Sequence, residues 1–340
     1  MAYQITIQST GRKYSAEPGS SILHAALAAG VELPYGCRNG SCGNCKGRVV
    51  EGTVDHGQSD ANVLSEAERA AGQALFCTAR PLSDLVIAPR RIDADQAHAV
   101  KNLPCRVERM QRLAPDVMAL FLKLPANERL SFAAGQYLEI ITGDGKRRAY
   151  SLANAPQDDA LLELHVRLSP GGAFSERVFG AMKERDMLRF EGPLGLFQVD
   201  KRSTRPIIML AGSTGFAPLK SMIEDLLQAG LARRIELYWG ARERSGLYLP
   251  ELPQRWAAEN ELIRYHPVLS APAATDAWDG RLGLAHAAVL EDWPDLSACQ
   301  VYAAGSPAMV QAAQLEFLAR GLPAQEFFAD AFNFASPSPR

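Results

Sequence analysis

Three of six cysteines, Cys37, Cys42 and Cys45, fall within nine residues, and a fourth, Cys77, follows 32 positions after Cys45. The segment PYGCRNGSCGNCKG therefore offers C-x4-C-x2-C and a remote thiol, the ligand spacing of a plant-type [2Fe–2S] cluster. Two irons need four thiolates, and the bridging sulfides carry negative charge that calls for hydrogen-bond donors. A loop containing Gly36, Gly40 and Gly43 lets main-chain N–H groups approach those sulfurs without Cβ clashes. Arg38, Asn39, Ser41 and Asn44 add polar side chains to the same loop. A structural zinc site also uses four cysteines, though commonly as two short C-x2-4-C pairs. On that alternative the chain is a zinc-stapled binding module without redox activity. A thioredoxin-like role for Cys42 and Cys45 lacks the βαβ pattern that should surround it. Cys105 and Cys299 stand alone in strand-like apolar stretches and read as small buried hydrophobes.

A second constellation is RRAYSLAN, which carries Arg148-x-Tyr150-Ser151, followed by VRLSPGGAFSERV, a Gly-Gly turn that opens a helix. Together they meet the needs of FAD. Its pyrophosphate wants a guanidinium and the free N–H groups of a helix start, here residues Gly172 to Ser175. Its ring wants a flat aromatic, Tyr150, and its N5 a small polar partner, Ser151. Val166 and Phe174 complete the candidate flavin contacts. Alone, R-x-Y-S is four common residues on a solvated strand; the glycine turn downstream gives it meaning.

A third constellation is the strand PIIMLAG running into AGSTGFAP and a helix. This is not G-x-G-x-x-G. The turn still sets main-chain N–H groups and the Thr214 hydroxyl where phosphates bind, with Gly212 and Gly215 giving close approach and Pro218 suiting the first helical turn. AAGSPAMV repeats the device with Gly305 and Pro307. Two such turns on one parallel sheet define a crevice, while each taken alone is equally an ordinary βα connection. Arg242-Glu243-Arg244, after the next strand, reads as a solvated loop whose position gives it interest. Glu243 suits a ribose 2′-OH, and the arginines suit a 2′-phosphate. The six histidines (24, 56, 98, 165, 266 and 286) form no ligand spacing and none stands out as a general base.

The elements that must position these residues fall into three blocks. With 340 residues, 47% hydrophobic, the chain is too long for one ordinary core. The first block, residues 1–92, alternates as strands over 3–9 and 13–17, a helix over 21–29 capped by Ser20 or Ser21, a strand over 46–51, a short helix near 65–71 and a last strand over 85–88. That order suits a β-grasp domain. A polar stretch over 93–103 reads as a linker. Residues 104–200 carry short strands over 105–110, 117–124, 136–141, 161–168 and 188–191 with a helix near 174–182, the pattern of an antiparallel β-barrel. From 201 to 340 strands alternate with helices, which predicts an α/β domain with a parallel sheet. A net charge of −2 gives no field to recruit nucleic acid or a membrane surface. No apolar run approaches the roughly 20 residues a spanning helix needs, and the N-terminus does not read as a signal peptide. The expected location is the cytoplasm, where cysteines stay reduced.

These residues resemble a fused ferredoxin and ferredoxin–NAD(P) reductase over essentially the whole chain. That family includes reductase components of bacterial aromatic-ring dioxygenases and di-iron monooxygenases and the CDP-6-deoxyglucoseen reductases. The resemblance implies that Arg148, Tyr150 and Ser151 hold the FAD phosphate, ring and N5. It implies that Gly172 and Ser175 hold the pyrophosphate, and that Gly212, Thr214, Gly215 and Pro218 receive NADH or NADPH. It also implies a relay from the nucleotide through FAD and the [2Fe–2S] cluster to a partner protein, an oxygenase or a deoxysugar dehydratase component. One departure is visible: Ala304 stands where the family carries a cysteine close to the nicotinamide, so hydride transfer is expected to be slower. The stretch EFFADAF resembles the family's terminal strand, with Phe332 a candidate flavin neighbour.

Overall fold

The computed structural model describes residues 2–31, 33–36, 38–40, 42–59, 61, 63–89 and 98–332. Two compact units are formed, Met1–Ala97 with Ala329–Ala331, and His98–Phe328 with Phe332–Arg340. The first contains β1 (Tyr3–Ile7), β2 (Lys13–Ala16), α1 (Ile22–Ala28), β3 (Lys46–Glu51), β4 (Val54–Asp55), α2 (Glu66–Ala70), β5 (Gln73–Leu75), β6 (Arg80–Pro81) and β7 (Leu85–Pro89). The main sheet runs β2-β1-β7-β3-β5, with β1 and β7 parallel and their outer neighbours antiparallel, the β-grasp arrangement. Alternation explains β1: Ile5 and Ile7 enter the core with Ile22, Leu33, Phe76 and Ile87. Ser21 caps α1 by accepting from His24 N at 3.2 Å, and Ser65 with Glu68 forms a full capping box on α2.

The barrel of the second unit comprises β8 (Lys101–Ala114), β9 (Val117–Lys123), β10 (Tyr137–Ile141), β11 (Arg147–Ser151), β12 (Leu162–Arg167), α3 (Ala173–Phe179) and β13 (Met187–Leu194). Its strands are ordered β11-β10-β13-β8-β9-β12, and an antiparallel bridge between Leu152 and Leu164 joins the two edges. β8 is far longer than the expected 105–110. Register shifts between Val107 and Arg109 and between Arg112 and Ala114 break its alternation, so the sequence pattern hides its full length. Of the expected linker, residues 93–97 lie outside the described residues, and 101–103 belong to β8.

The third block contains β14 (Ile207–Gly212), α4 (Phe216–Gln228), β15 (Ile235–Ala241), α5 (Glu251–Glu259), β16 (Ile263–Leu269), β17 (Arg281–Leu282), α6 (Ala285–Asp292), β18 (Gln300–Gly305), α7 (Pro307–Ala319) and β19 (Phe327–Ala331). Its sheet is ordered β17-β16-β15-β14-β18-β19, with β14 parallel to both β15 and β18. The chain moves outward one way from β14 through β15 and β16, then returns to β14's other side with β18. The switch point therefore lies between β14 and β18, whose C-terminal ends are Gly212 and Gly305.

Candidate functional site

In the β-grasp unit, Cys45 precedes β3 and Cys77 follows β5, and their sulfurs approach to 3.1 Å as free thiols. That exceeds a disulfide bond length and suits thiols gathered around a metal group. Cys42 and Cys45 are 3% and 2% exposed, while Cys77 is half-buried. Cys37 lies outside the described residues. The hydrogen bond to Cys77, burial, and the neighbouring Cys77 and Cys42 all push the Cys45 thiol well above its ordinary pKa. Such a crowd of sulfurs ionises together only around cations. The loop leaves them no spare room: a Cβ at Gly36 would stand 3.2 Å from Cys42 Sγ, and Gly43 has φ +76, a conformation glycine adopts freely. Soft donors, burial and tight main chain fit a [2Fe–2S] cluster. Cys105 and Cys299 are fully buried, and burial raises their thiols to about 12 and about 11.

In the barrel, Arg148, Tyr150 and Ser151 lie on the edge strand β11. Arg148 and Tyr150 are half-buried on one side and Ser151 is buried. The Tyr150 ring lies 5.4 Å from that of Phe174 in α3, tilted by 45°. Gly172 is the N-cap of α3 and gives it no side-chain cap; a Cβ there would meet Ser175 Oγ at 2.7 Å. A guanidinium, a flat ring and an uncapped glycine turn on adjacent elements fit a flavin dinucleotide. Two of the candidate flavin residues, Ser175 and Val166, are engaged by the protein itself. The Ser175 hydroxyl is engaged within its own turn, donating to Gly172 O at 2.9 Å and accepting from Ser169 N at 3.1 Å. Val166 is fully buried in the barrel core.

On the parallel sheet, Ser213–Gly215 form a 3-10 turn between β14 and α4, and Pro218 lies in the first turn of α4. This turn and the one after β18 meet backbone to backbone. A Cβ added at Gly215 would fall well inside contact distance of the Ala304 carbonyl, and one at Gly305 would stand 3.1 Å from Gly212 Cα. Ala304 itself is fully buried within the core of this lobe. Phe332 N donates to Gly305 O at 2.8 Å, closing over the second turn. Arg242 and Glu243 are exposed, whereas Arg244 bonds the Asp276 carbonyl at 3.1 Å. Paired glycine turns at the switch point fit a dinucleotide.

A side-chain network with no motif in the sequence joins barrel and sheet. Glu163, His165 and Arg167 alternate along one face of β12, a pattern that reads as a solvated face. Instead Glu163 Oε2 accepts from Lys220 Nζ at 2.9 Å, His165 Nδ1 meets Tyr248 OH at 2.9 Å, and Arg167 Nη1 donates to Ser213 Oγ at 2.5 Å. Lys220 also donates to Ala153 O, and Ser221 to Asn154 O. Trp239, stacked on Phe216 at 3.9 Å, donates its indole N–H to Ser213 O. The only sequence signal was the polar period of two in LELHVR.

Comparison with known proteins follows the same three blocks. Residues 5–82 match the 2Fe-2S iron-sulfur cluster binding domain, 104–199 the oxidoreductase FAD-binding domain, and 209–315 the oxidoreductase NAD-binding domain. The chain is 37% identical over 332 residues to the CDP-6-deoxy-L-threo-D-glycero-4-hexulose-3-dehydrase reductase of Yersinia pestis, covering 98% of this chain and 99% of that one. The chain belongs to the fused ferredoxin and ferredoxin–NAD(P) reductases. The reductase component 1 of terephthalate 1,2-dioxygenase from Comamonas sp is 39% identical to it over 337 residues, with 98% of both chains covered. The crystal structure of the Amycolatopsis cytochrome P450 reductase GcoB matches 98% of this chain and 100% of its own, at 35% identity and a TM-score of 0.78. This fused reductase is an NAD(P)H-dependent flavin and iron–sulfur oxidoreductase. Its cofactors are a [2Fe–2S] cluster, FAD and a pyridine nucleotide. Among the described residues no helix is long and apolar enough to cross a membrane.

Proposed function

We propose that this fused reductase draws electrons from NADH and delivers them, in the cytoplasm, to the terminal component of a bacterial oxygenase. What carries the reading is the conjunction on one chain of the Cys42, Cys45 and Cys77 site, the Arg148–Tyr150–Ser151 edge and the paired glycine turns at Gly212 and Gly305. When bound, the nucleotide supplies a hydride, the flavin accepts two electrons and releases them singly, and the cluster carries one at a time.

The residues' tasks are binding and orientation. Arg148 and the Gly172 turn would hold the FAD pyrophosphate, with Ser175 bracing that turn. Tyr150, backed by Phe174, would lie against the ring, and Ser151 would bond N5. Val166 would contribute main chain. The turn of Gly212, Thr214 and Gly215, with Pro218 behind it and Arg242 at the rim, would seat the nucleotide. Ala304 and Gly305 would shape the crevice floor through their main chain, with Phe332 at its edge. Cys37, Cys42, Cys45 and Cys77 would ligate the cluster. The proposed division is a ferredoxin domain over 1–92, a linker over 93–103, an FAD barrel over 104–200 and a nucleotide domain over 201–340.

Relatives that serve terephthalate 1,2-dioxygenase and a cytochrome P450 support an oxygenase as acceptor. The Yersinia relative favours a second reading, a deoxysugar dehydratase that carries pyridoxamine phosphate. Supplying NADH and the purified reductase to each kind of terminal component, and measuring product, separates them. Turnover by the dehydratase alone would reverse the assignment. Metal analysis of the same preparation should return iron, and zinc in its place would remove the redox reading of the cysteines.

A further inference from the structure

The turn that follows β14 contains a residue in a conformation its side chain disfavours. Ser213 has φ +51, in the left-handed region that residues with a Cβ rarely enter. Such backbone persists only where its surroundings over-determine it. Here two other elements do so. From β15, Trp239 Nε1 donates to Ser213 O at 3.0 Å. From the end of β12, Arg167 Nη1 donates to Ser213 Oγ at 2.5 Å. Arg167 is itself aimed by Asp116, whose Oδ2 accepts from Arg167 Nε at 2.7 Å. Asp116 sits between β8 and β9, so the barrel reaches across to set the backbone of the turn.

We propose that Arg167 is a positioning residue for pyridine-nucleotide binding. Aimed by Asp116 and opposed by Trp239, it holds Ser213 left-handed and keeps the Ser213–Gly215 turn pre-formed for the nucleotide pyrophosphate. The inference rests on the reading that this turn seats the nucleotide. A turn ordered before binding does not have to be ordered at binding, so the pre-formed geometry converts into affinity. The serine hydroxyl gives the barrel a handle on the turn that glycine, though unstrained there, would lack.

The test is a mutant cycle on the full-length, flavin-loaded, oxidised protein, read by calorimetric titration with NAD+ and with ADP-ribose and by urea midpoint. Arg167→Ala and Ser213→Ala should each weaken both ligands about tenfold, the size expected when a strained turn is released. Ser213→Gly should stay within about threefold of the parent, because glycine holds this φ without support. Adding Arg167→Ala to the Ser213→Gly protein should then cost nothing more. An equal cost of Arg167→Ala in both backgrounds would overturn the inference, because the guanidinium would then be acting on the nucleotide itself. Thr214→Glu checks the underlying seat by setting a carboxylate against the phosphates, and should abolish binding of both ligands. If it leaves affinity intact, the seat is elsewhere and the positioning role falls with it. If it abolishes binding while the cycle is additive, the seat stands and the role of Arg167 is refuted.

Discussion

At Lys220 a buried ammonium meets the Ala153 carbonyl, Glu163 and Glu224, all at about 3 Å. Burial alone would push the Glu163 carboxyl up, but the His165 hydrogen bond and the Lys220 charge outweigh it and hold it at about 2. A depressed carboxyl stabilises the fold fully above its unfolded value, near 4.5, and loses that contribution as pH falls through the native value. Lys220→Met removes the cation and leaves Glu163 and Glu224 together in a buried setting. Urea unfolding at neutral pH should show a loss of about 3 kcal/mol, and that deficit should shrink as pH falls, because the two carboxyls, freed of the cation that held Glu163 low, take up protons in the native state more readily than in the parent. A neutral-pH midpoint equal to the parent's would mean that solvent already screens the pair. At the nucleotide rim, Arg244 is tied to Asp276 while Glu243 is exposed. That leaves Arg242 as the cation to meet a 2′-phosphate, against an acid suited to a 2′-OH. NADH should therefore give the higher kcat/KM, and an advantage for NADPH in parallel steady-state assays would show that the guanidinium governs.

The elements that carry the site work through close approach. Gly215 lies so near β18 that any Cβ would meet the Ala304 carbonyl, and a backbone carbonyl cannot turn aside as a side chain can. Gly215→Ala should lower stability by about 2 kcal/mol through overpacking. It should also weaken NAD+ binding, because relief requires the two turns to separate; calorimetry and urea unfolding read both effects, and a variant with parental stability would place the turns further apart than their backbones indicate. Legibility followed the same physics. The strand that runs into the AAGSPAMV turn was legible, since β18 is buried on every side chain and bounded by a glycine turn. β16 was not, because IRYHPVL mixes charge and proline and has only a partly buried face. The cysteine loop and the glycine turns were legible because their chemistry sits in local spacing. Ser213, Arg167 and Trp239 were not, because what joins them is a contact between residues 46 and 26 positions apart. Ala304 is set beside the nicotinamide by the family resemblance alone; its side chain belongs to the core of this lobe and its carbonyl faces Gly215.

For the whole molecule, the cysteine site belongs to one compact unit and the flavin and nucleotide elements belong to the other, so damage to one need not reach the other. Cys42→Ser in the full-length chain exploits this. Cys42 is buried, and losing one of the four proposed thiolate ligands should strip or cripple the cluster and loosen the unit that holds it. The visible absorbance and reduced-state paramagnetic signal of the [2Fe–2S] centre should disappear, and the first unit should melt earlier. FAD content and the melting of the second unit should remain at the parental level. NADH oxidation with ferricyanide should stay within about twofold, because a small acceptor can take electrons at the flavin. Cytochrome c reduction, and turnover of a terminal oxygenase, should fall at least about tenfold, since the cluster is the exit for single electrons. The two acceptors share every step up to the flavin, so their divergence isolates the exit. Were the variant to lose its cluster signal and still feed the terminal component at the parental rate, electrons would be leaving from the flavin unit, and the ferredoxin domain would serve docking rather than relay.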